Sequence, residues 1–309
     1  MQHSIALVVA TKDRPSDLDN LLASLRGQST LPEQIVVVDA SIEPIEDVIA
    51  RFPELTIRYV RHWPPSAAAQ RNAGILACAP SATLIGFADD DTTFEPTAFE
   101  NMLAFWRTAP PDVLGAAFNI RNYPERGRAL VKNSAFTQWL GLYSSRPGAV
   151  SSSGWQTVIG QLAETQLVDW LPSTAVVFRR SVFDRSLFDD AFESYSYLED
   201  LDLSYTIGRI GRLAVVADAG FSHFPSTGGR ISPRQFGRFE VRNRLYFVRK
   251  HRLSVARCYV GLASRIAMSI GSGLAHRNTA MLRRAVGNIE ALFSKNTLQA
   301  VKNPLPSQQ

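Results

Sequence analysis

The sequence predicts an α/β protein with a mostly parallel central sheet and flanking helices. Three observations carry that expectation. The runs "IALVVAT" (5–11), "QIVVVDA" (34–40) and "ATLIGFADDD" (82–91) are nearly continuous in apolar residues until they end, as strands buried on both faces must be. Helix signals alternate with them through the first half of the chain, which is the pattern of an α/β sheet. Polar residues gather at the ends of the same runs, at Thr11, at Asp39 and at the triplet Asp89, Asp90 and Asp91. Ligands of open α/β sheets bind beyond the carboxyl ends of the strands.

The elements follow in order. After the first strand, "RPSDLDNLLASL" opens with Pro15 and Ser16, both helix-start signals. The second strand leads into a second helix over "EPIEDVIARF", and "TIRYVR" (56–61) forms a third strand. "AAAQRNAGILACA" (67–79) reads as a third helix feeding the fourth strand. Between about 120 and 168 the chain turns irregular, and the Gly, Ser and Pro clusters of "GLYSSRPGAVSSSGWQT" suit loops or a lid. Regular signals return at "DWLPSTAVVFRRSVF" (169–183), "SYLEDLDLSYTIGRIG" (196–211) and the strand-like "RLAVVA". The remainder, "RQFGRFEVRNRLYFVRKHRLSVARCYVGLASRIAMSIG" (234–271), is helical in character, and "NPLPSQQ" at the end is expected to fray.

Bulk properties exclude several classes. A chain of 309 residues with 45% hydrophobic and 20% charged residues has ample core for one large domain or two modest ones. Its two cysteines, Cys78 and Cys258, lack metal-ligand spacing and argue for neither a disulfide framework nor a zinc site; a reducing compartment fits them. No uncharged apolar stretch reaches the length of a membrane span, and "MQHSIALVVATKDRP" lacks the basic start and long apolar run of a signal peptide.

Charge is distributed unevenly. From Arg230 onward there are 15 Lys and Arg against only Glu240 and Glu290, whereas the preceding residues hold 18 basic and 26 acidic side chains. A tail of about +13 points to an anionic partner, for which Arg242, Arg244, Arg249, Lys250 and the helix beyond them are the candidates. The tail shows no helix-turn-helix or base-stacking motif, so nucleic acid is not expected. Interleaved Arg, Leu, Ile, Val and Tyr suit either a helix on anionic lipid or a helical cap with a basic face.

The acidic motif carries the chemistry. Three adjacent carboxylates repel one another, and a hard divalent cation such as Mg2+ or Mn2+ relieves that repulsion through oxygen ligands. A solvated turn with an Asp helix cap before "EPTAF" is the alternative for the triplet taken alone. Glu199, Asp200 and Asp202 in "LEDLDL" are either an acidic first helical turn that complements the helix dipole or a site for proton transfer.

Together, "VVATKDRP", "QIVVVDAS", "AAAQRNAGI", "FADDD", "WLPS…FRR", "YLEDLDLSYTIGRIG", "SHFPS" and "RNRLYFVRKH" resemble the family 2 glycosyltransferases, inverting enzymes of the GT-A fold, over residues 4 to about 251. The resemblance implies a Rossmann-like GT-A domain over 1–230, with a nucleotide-sugar half at about 1–120 and an acceptor half at about 121–230. A basic helical region follows at 231–309. It implies Mg2+ or Mn2+ as cofactor and a nucleoside-diphosphate-sugar as donor. Asp91 and Asp89 would hold the metal with His223 as a third ligand, and Asp90 would face the ribose. Thr11 would meet the nucleoside, Asp39 the nucleobase, and Arg71 the base or phosphate. Asp200 would be the catalytic base and Glu199 would help position the acceptor. Trp170 would stack on a sugar ring or pack in the core.

The implied acceptor is a glycan or lipid-linked glycan, in surface-polysaccharide synthesis at the cytoplasmic face of the plasma membrane. Ser173 stands where many relatives have Gly, so acceptor contacts there do not carry over. A sugar-1-phosphate nucleotidyltransferase is the competing enzyme class, but it expects glycines in the first strand–helix turn, and "TKDRPSD" has none.

Overall fold

The structure, a computed structural model, describes residues 3–123, 135–139, 141–226 and 231–294. Part of the irregular middle segment (124–134) and the frayed end expected at 303–309 lie outside these residues. The chain divides into two compact units. One comprises residues 1–125 and 159–229, the other residues 126–158 and 230–309.

The first unit is built on one sheet. Strands β1 (Ile5–Thr11), β2 (Gln34–Asp39), β3 (Ile57–Arg61) and β4 (Leu84–Asp89) are joined by helices α1 (Pro15–Arg26), α2 (Glu46–Ile49) and α3 (Ala67–Ala77). All four strands are parallel, in the order β3-β2-β1-β4. Helix α1 starts with Pro15 and buries Leu18, Leu21, Leu22 and Leu25, the single-face spacing of an amphipathic helix. Helix α3 is capped by Ser66, and Gly74 lies so close to β1 that a Cβ there would come within 2.2 Å of Val8 Cγ1.

Helix α2 is shorter than the sequence pattern predicts. After Ile49 the backbone bonds of Arg51 and Phe52 reach back only three residues, and Pro53 cannot extend a helix.

Beyond β4 the sheet becomes mixed. It continues through β8 (Ala175–Arg179), β6 (Val113–Ile120) and β9 (Arg212–His223) to β5 (Thr92–Phe94), with β7 (Gln166–Val168) also on β9. Strand β8 runs antiparallel to both β4 and β6, while β6 and β9 are parallel. Helix α4 (Ala98–Thr108) and helix α6 (Glu199–Gly208) complete the unit, with a 3-10 turn at Arg180–Asp184. Phe94, Phe99, Phe118 and Phe221 pack edge-on or tilted in its core.

The second unit is helical: α5 (Ala135–Trp139), α7 (Pro233–Lys250), α8 (Val255–Ala275) and α9 (Thr279–Leu292). Ser232, Ser254 and Asn278 cap the last three by accepting backbone N–H bonds. Gly237 and Gly287 let α7 and α9 cross closely, since a Cβ at either would strike the other helix's backbone. Both tail acids are engaged internally. Glu240 is buried and accepts bonds from Arg284 and Asn288 with Arg265 beside it, and Glu290 pairs with Arg234 and Arg238.

Of the basic residues expected to meet an anionic partner, Arg244 is turned inward. It is 1% exposed, lies over the Trp155 ring and donates to Gly154 O and to Gln156 Oε1 at 2.7 Å. Its charge is therefore used inside this unit and is not available to an external surface. Among the described residues no helix is long and apolar enough to cross a membrane.

Candidate active site

The carboxyl edge of the parallel strands collects the polar residues. Thr11, Asp39 and Asp89 end β1, β2 and β4, and the parallel register pairs Thr11 with Asp39 and Ala10 with Asp89. Gln70 of α3 ties this edge together by donating to Thr11 O at 3.0 Å and Val38 O at 2.9 Å.

Asp39 has no exposed surface. Its Oδ1 accepts the Ser41 N–H at 2.7 Å, and its Oδ2 accepts Tyr59 Oη and Arg61 Nη1, both at 2.5 Å. Burial alone would raise its pKa, but these bonds hold it below the ordinary carboxylate value.

The acidic triplet is split between three environments. Asp90 is buried; it accepts from Thr11 Oγ1 at 2.8 Å and pairs with Arg14 Nη1 at 3.0 Å. Burial nonetheless pushes Asp90 up to about 7, with Arg14 and Thr11 opposing. Asp91 accepts the Ser226 N–H at 3.0 Å, lies 3.0 Å from His223 Nε2 and 3.6 Å from Arg14. Burial would raise Asp91 as well, yet His223, the Ser226 amide and Arg14 hold it below its ordinary value. Asp89 keeps more exposure and accepts from Arg71 Nη2 at 2.9 Å.

His223 reaches the triplet through sheet register. Strand β5 leaves the line of β4 and pairs with β9, setting Thr92 opposite His223, and the Phe224 N–H donates to Asp91 O at 2.9 Å. The ligand atoms of Asp89, Asp91 and His223 all lie within 4.8 Å of one another. Two carboxylate oxygens and one imidazole suit a hard or borderline divalent cation such as Mn2+ or Mg2+.

Helix α6 brings the second acidic group. Its first turn carries Glu199, Asp200 and Asp202, next to the positive end of the helix dipole. Glu199 accepts from Arg71 Nη1 at 2.5 Å, and Asp200 Oδ1 accepts the Leu201 N–H at 2.7 Å. Burial raises the pKa of both; for Asp200 the charge of Asp89 adds to this, while the Leu201 N–H and Arg71 oppose it. Trp170 is buried in the core of the unit.

Thus Thr11, Asp90, Asp91 and His223 are joined through Arg14, and Asp89 and Glu199 through Arg71; the two sets meet where Asp89 lies beside Asp91 and His223, with Asp200 next to Glu199 on α6, whereas Asp39 and Trp170 are linked to other partners. Arg14 escaped the sequence reading. Its signal was position: a basic residue in the first strand–helix turn, where diphosphate groups bind in sheets of this kind.

A parallel half-sheet with an acidic motif at its carboxyl edge, extended by a mixed half that returns a histidine to that motif, defines a GT-A-type α/β fold. The model of glycosyl transferase family 2 matches residues 6–187, more than half of the chain, and the chain belongs to that family. The matched span includes the triplet but ends before α6 and His223. A curated relative from Bacillus subtilis (strain 168), described as the uncharacterized glycosyltransferase YwdF, is 34% identical over 106 residues, or 34% of this chain and 39% of the relative.

Among solved structures, S. aureus TarS 1–349 with UDP-GlcNAc aligns at TM-score 0.54 and 14% identity, over 93% of this chain and 91% of that one. The longer TarS chain aligns at TM-score 0.52 and 15% identity, over 79% of this chain and 39% of its own length. The mannosyltransferase PcManGT from Pyrobaculum calidifontis, in complex with GDP-Man and Mn2+, aligns at TM-score 0.57 and 13% identity, over 96% and 88%. At these identities the likeness concerns the fold.

Proposed function

We propose that the protein is a metal-dependent inverting glycosyltransferase that moves a sugar from a nucleoside-diphosphate-sugar to a hydroxyl of a glycan or lipid-linked glycan. The observation that carries this reading is the convergence of Asp89, Asp91 and His223 beside the α6 acids Glu199 and Asp200, bridged by Arg71. Complexes of the fold relatives with UDP-GlcNAc and with GDP-Man and Mn2+ support the donor and cofactor class.

In this reading the nucleoside lies over the ends of β1 and β2 near Thr11 and Asp90, with Asp39 holding Arg61 and Tyr59 in place. Asp89, Asp91 and His223 would hold Mg2+ or Mn2+, which when bound would offset the charge of the diphosphate and make it a better leaving group. The acceptor oxygen forms a bond to the anomeric carbon as the bond from that carbon to the diphosphate oxygen breaks. The acceptor proton passes to Asp200, and the nucleoside diphosphate leaves with the bonding electron pair. Attack from the face opposite the leaving group inverts the anomeric centre. The test is a donor screen in which purified protein, Mn2+ or Mg2+ and each common nucleotide sugar are monitored for nucleotide release in the presence of acceptors. One sugar nucleotide should be consumed with acceptor-dependent release; release from none overturns the reading.

The second unit supports a reading of where the protein works. On α8, Val260, Ile270 and Leu274 are 52%, 37% and 67% exposed and continue a stripe with the exposed Ala256, Ala263 and Ala267. That alternating three–four spacing makes one apolar helix face, and Arg257 and Arg277 lie at its two ends. We propose that this face rests on an anionic cytoplasmic membrane surface, where a lipid-linked acceptor of surface-polysaccharide synthesis would be found. The intact protein should co-sediment with phosphatidylglycerol vesicles at low salt and detach at high salt, and Leu274→Glu should weaken binding at least about tenfold. Indifference to anionic vesicles at low salt would make the tail a cap and remove the membrane from the proposal.

A further inference from the structure

Arg71 occupies an unusual place in this network. It is 6% exposed, and its two terminal nitrogens take one carboxylate from each half of the site: Nη1 donates to Glu199 at 2.5 Å and Nη2 to Asp89 at 2.9 Å. Its guanidinium carbon lies 5.6 Å from the centroid of the Phe188 ring. Both ends of the fork are therefore committed to protein groups, at the position where the family resemblance suggests a contact to base or phosphate.

The segment leading to Asp200 needs such support. Ser194, Ser196 and Leu198 all have left-handed backbone, at φ 59°, 51° and 79°, a conformation that side-chain-bearing residues adopt at a cost. Local preference cannot hold three such residues within five positions, so tertiary contacts must. Those contacts go to α3. Ser196, with no exposed surface, accepts the Ala68 N–H at 3.2 Å and donates to Phe192 O at 2.7 Å. Ser194 O accepts the Ala67 N–H at 3.4 Å, and the Asn72 side chain donates to Phe188 O at 2.8 Å and accepts its N–H at 2.9 Å. Helix α3 thus holds this strained segment at Ser194 and Ser196, anchors the chain before it at Phe188, and reaches β4 through Arg71.

We propose that Arg71 is a positioning residue that clamps the first turn of α6 to Asp89 and so presents Asp200 to the acceptor hydroxyl, with Ser196 as the second anchor of that turn. The proposal rests on the transferase reading above. Arginine suits the task because a planar fork fixes two carboxylates at once, whereas lysine offers a single point charge. A displacement of the base by about 1 Å is enough to cost about a hundredfold in rate.

The experiment compares wild type, Arg71→Lys, Arg71→Met, Glu199→Gln, the double variant Arg71→Met/Glu199→Gln, and Ser196→Ala. Each is measured for kcat with the nucleotide sugar that the wild type consumes, and for the Kd of the corresponding nucleoside diphosphate with Mn2+. Arg71→Met should lower kcat about a hundredfold and Arg71→Lys about tenfold, with Kd within about threefold of wild type. The double variant should be no slower than the slower single variant, because both remove one link.

Ser196→Ala should lower kcat several-fold at unchanged Kd. Should Arg71→Met fail to fold in a thermal melt, Arg71→Lys and Ser196→Ala decide the matter, and wild-type kcat in both overturns the clamp. A Kd that weakens in step with kcat would make Arg71 a nucleotide contact, and additive losses in the double variant would show two independent roles; either result overturns the proposal. Absence of turnover by the wild type with every donor overturns the transferase reading and the clamp together, which separates that failure from failure of the clamp alone.

Discussion

Asp91→Asn is expected to reduce turnover by at least about a hundredfold. Loss of a group one step removed from a metal costs about 10- to 100-fold, so loss of a direct charged ligand should cost no less. The substitution preserves shape and still allows the Ser226 N–H to donate to the remaining carbonyl oxygen, so the fold should survive. What disappears is the anionic oxygen next to His223 Nε2. EDTA should reproduce the loss in the wild type, and added Mn2+ or Mg2+ should restore the wild type but not the variant. Titration of the nucleoside diphosphate with Mn2+ present should show weakened binding in Asp91→Asn. Full wild-type turnover in EDTA would assign the triplet a purely structural role, held together by Arg14 and His223.

The second large effect is expected at Asp200. Asn there cannot take a proton, and general-base catalysis contributes about 10²- to 10⁴-fold, so kcat should fall by that order. Nucleoside diphosphate affinity should stay within about threefold, since the acceptor proton is transferred only in the transition state. The sign of the pH dependence follows from the environment. Burial, with the charge of Asp89 added, raises the Asp200 pKa, and the base must be deprotonated to act. Activity should therefore be lost as pH falls, with the acidic limb lying above the ordinary Asp value of about 3.9. Titration calorimetry and a pH–rate profile on both proteins check this. An Asp200→Asn protein with unchanged kcat would return α6 to the alternative of an acidic helix turn that complements its dipole.

The carboxylates of this site show why composition alone is a weak guide to chemistry. Asp90 and Asp91 are neighbours in sequence, yet burial pushes one up to about 7 while the other is held low by His223, the Ser226 amide and Arg14. Their different partners arise because both lie in the turn between β4 and β5, where Asp90 faces Thr11 at the end of β1 and Asp91 faces His223 on β9. Asp39, by contrast, has both carboxylate oxygens engaged by Ser41, Tyr59 and Arg61.

The parallel half of the sheet, helices α1 and α3 and the acidic triplet at a strand end are all legible in the residues. Local rules suffice for these: unbroken apolar runs, and Pro15 and Ser16 at a helix start. The direction of β8 was not legible, because a strand buried on both faces is apolar whichever way it runs. The extent of α2 was misjudged because its apolar period continues after the backbone has tightened ahead of Pro53. That His223 meets Asp91 was implied only by the family resemblance, and the physical cause lies in tertiary structure, where the antiparallel register of β5 on β9 sets that contact. Tertiary structure alone committed Arg71 and Arg14 to carboxylates and took Arg244 inside the second unit. A guanidinium looks the same in sequence whether solvated or buried, and only the acceptors folded around it determine which it becomes.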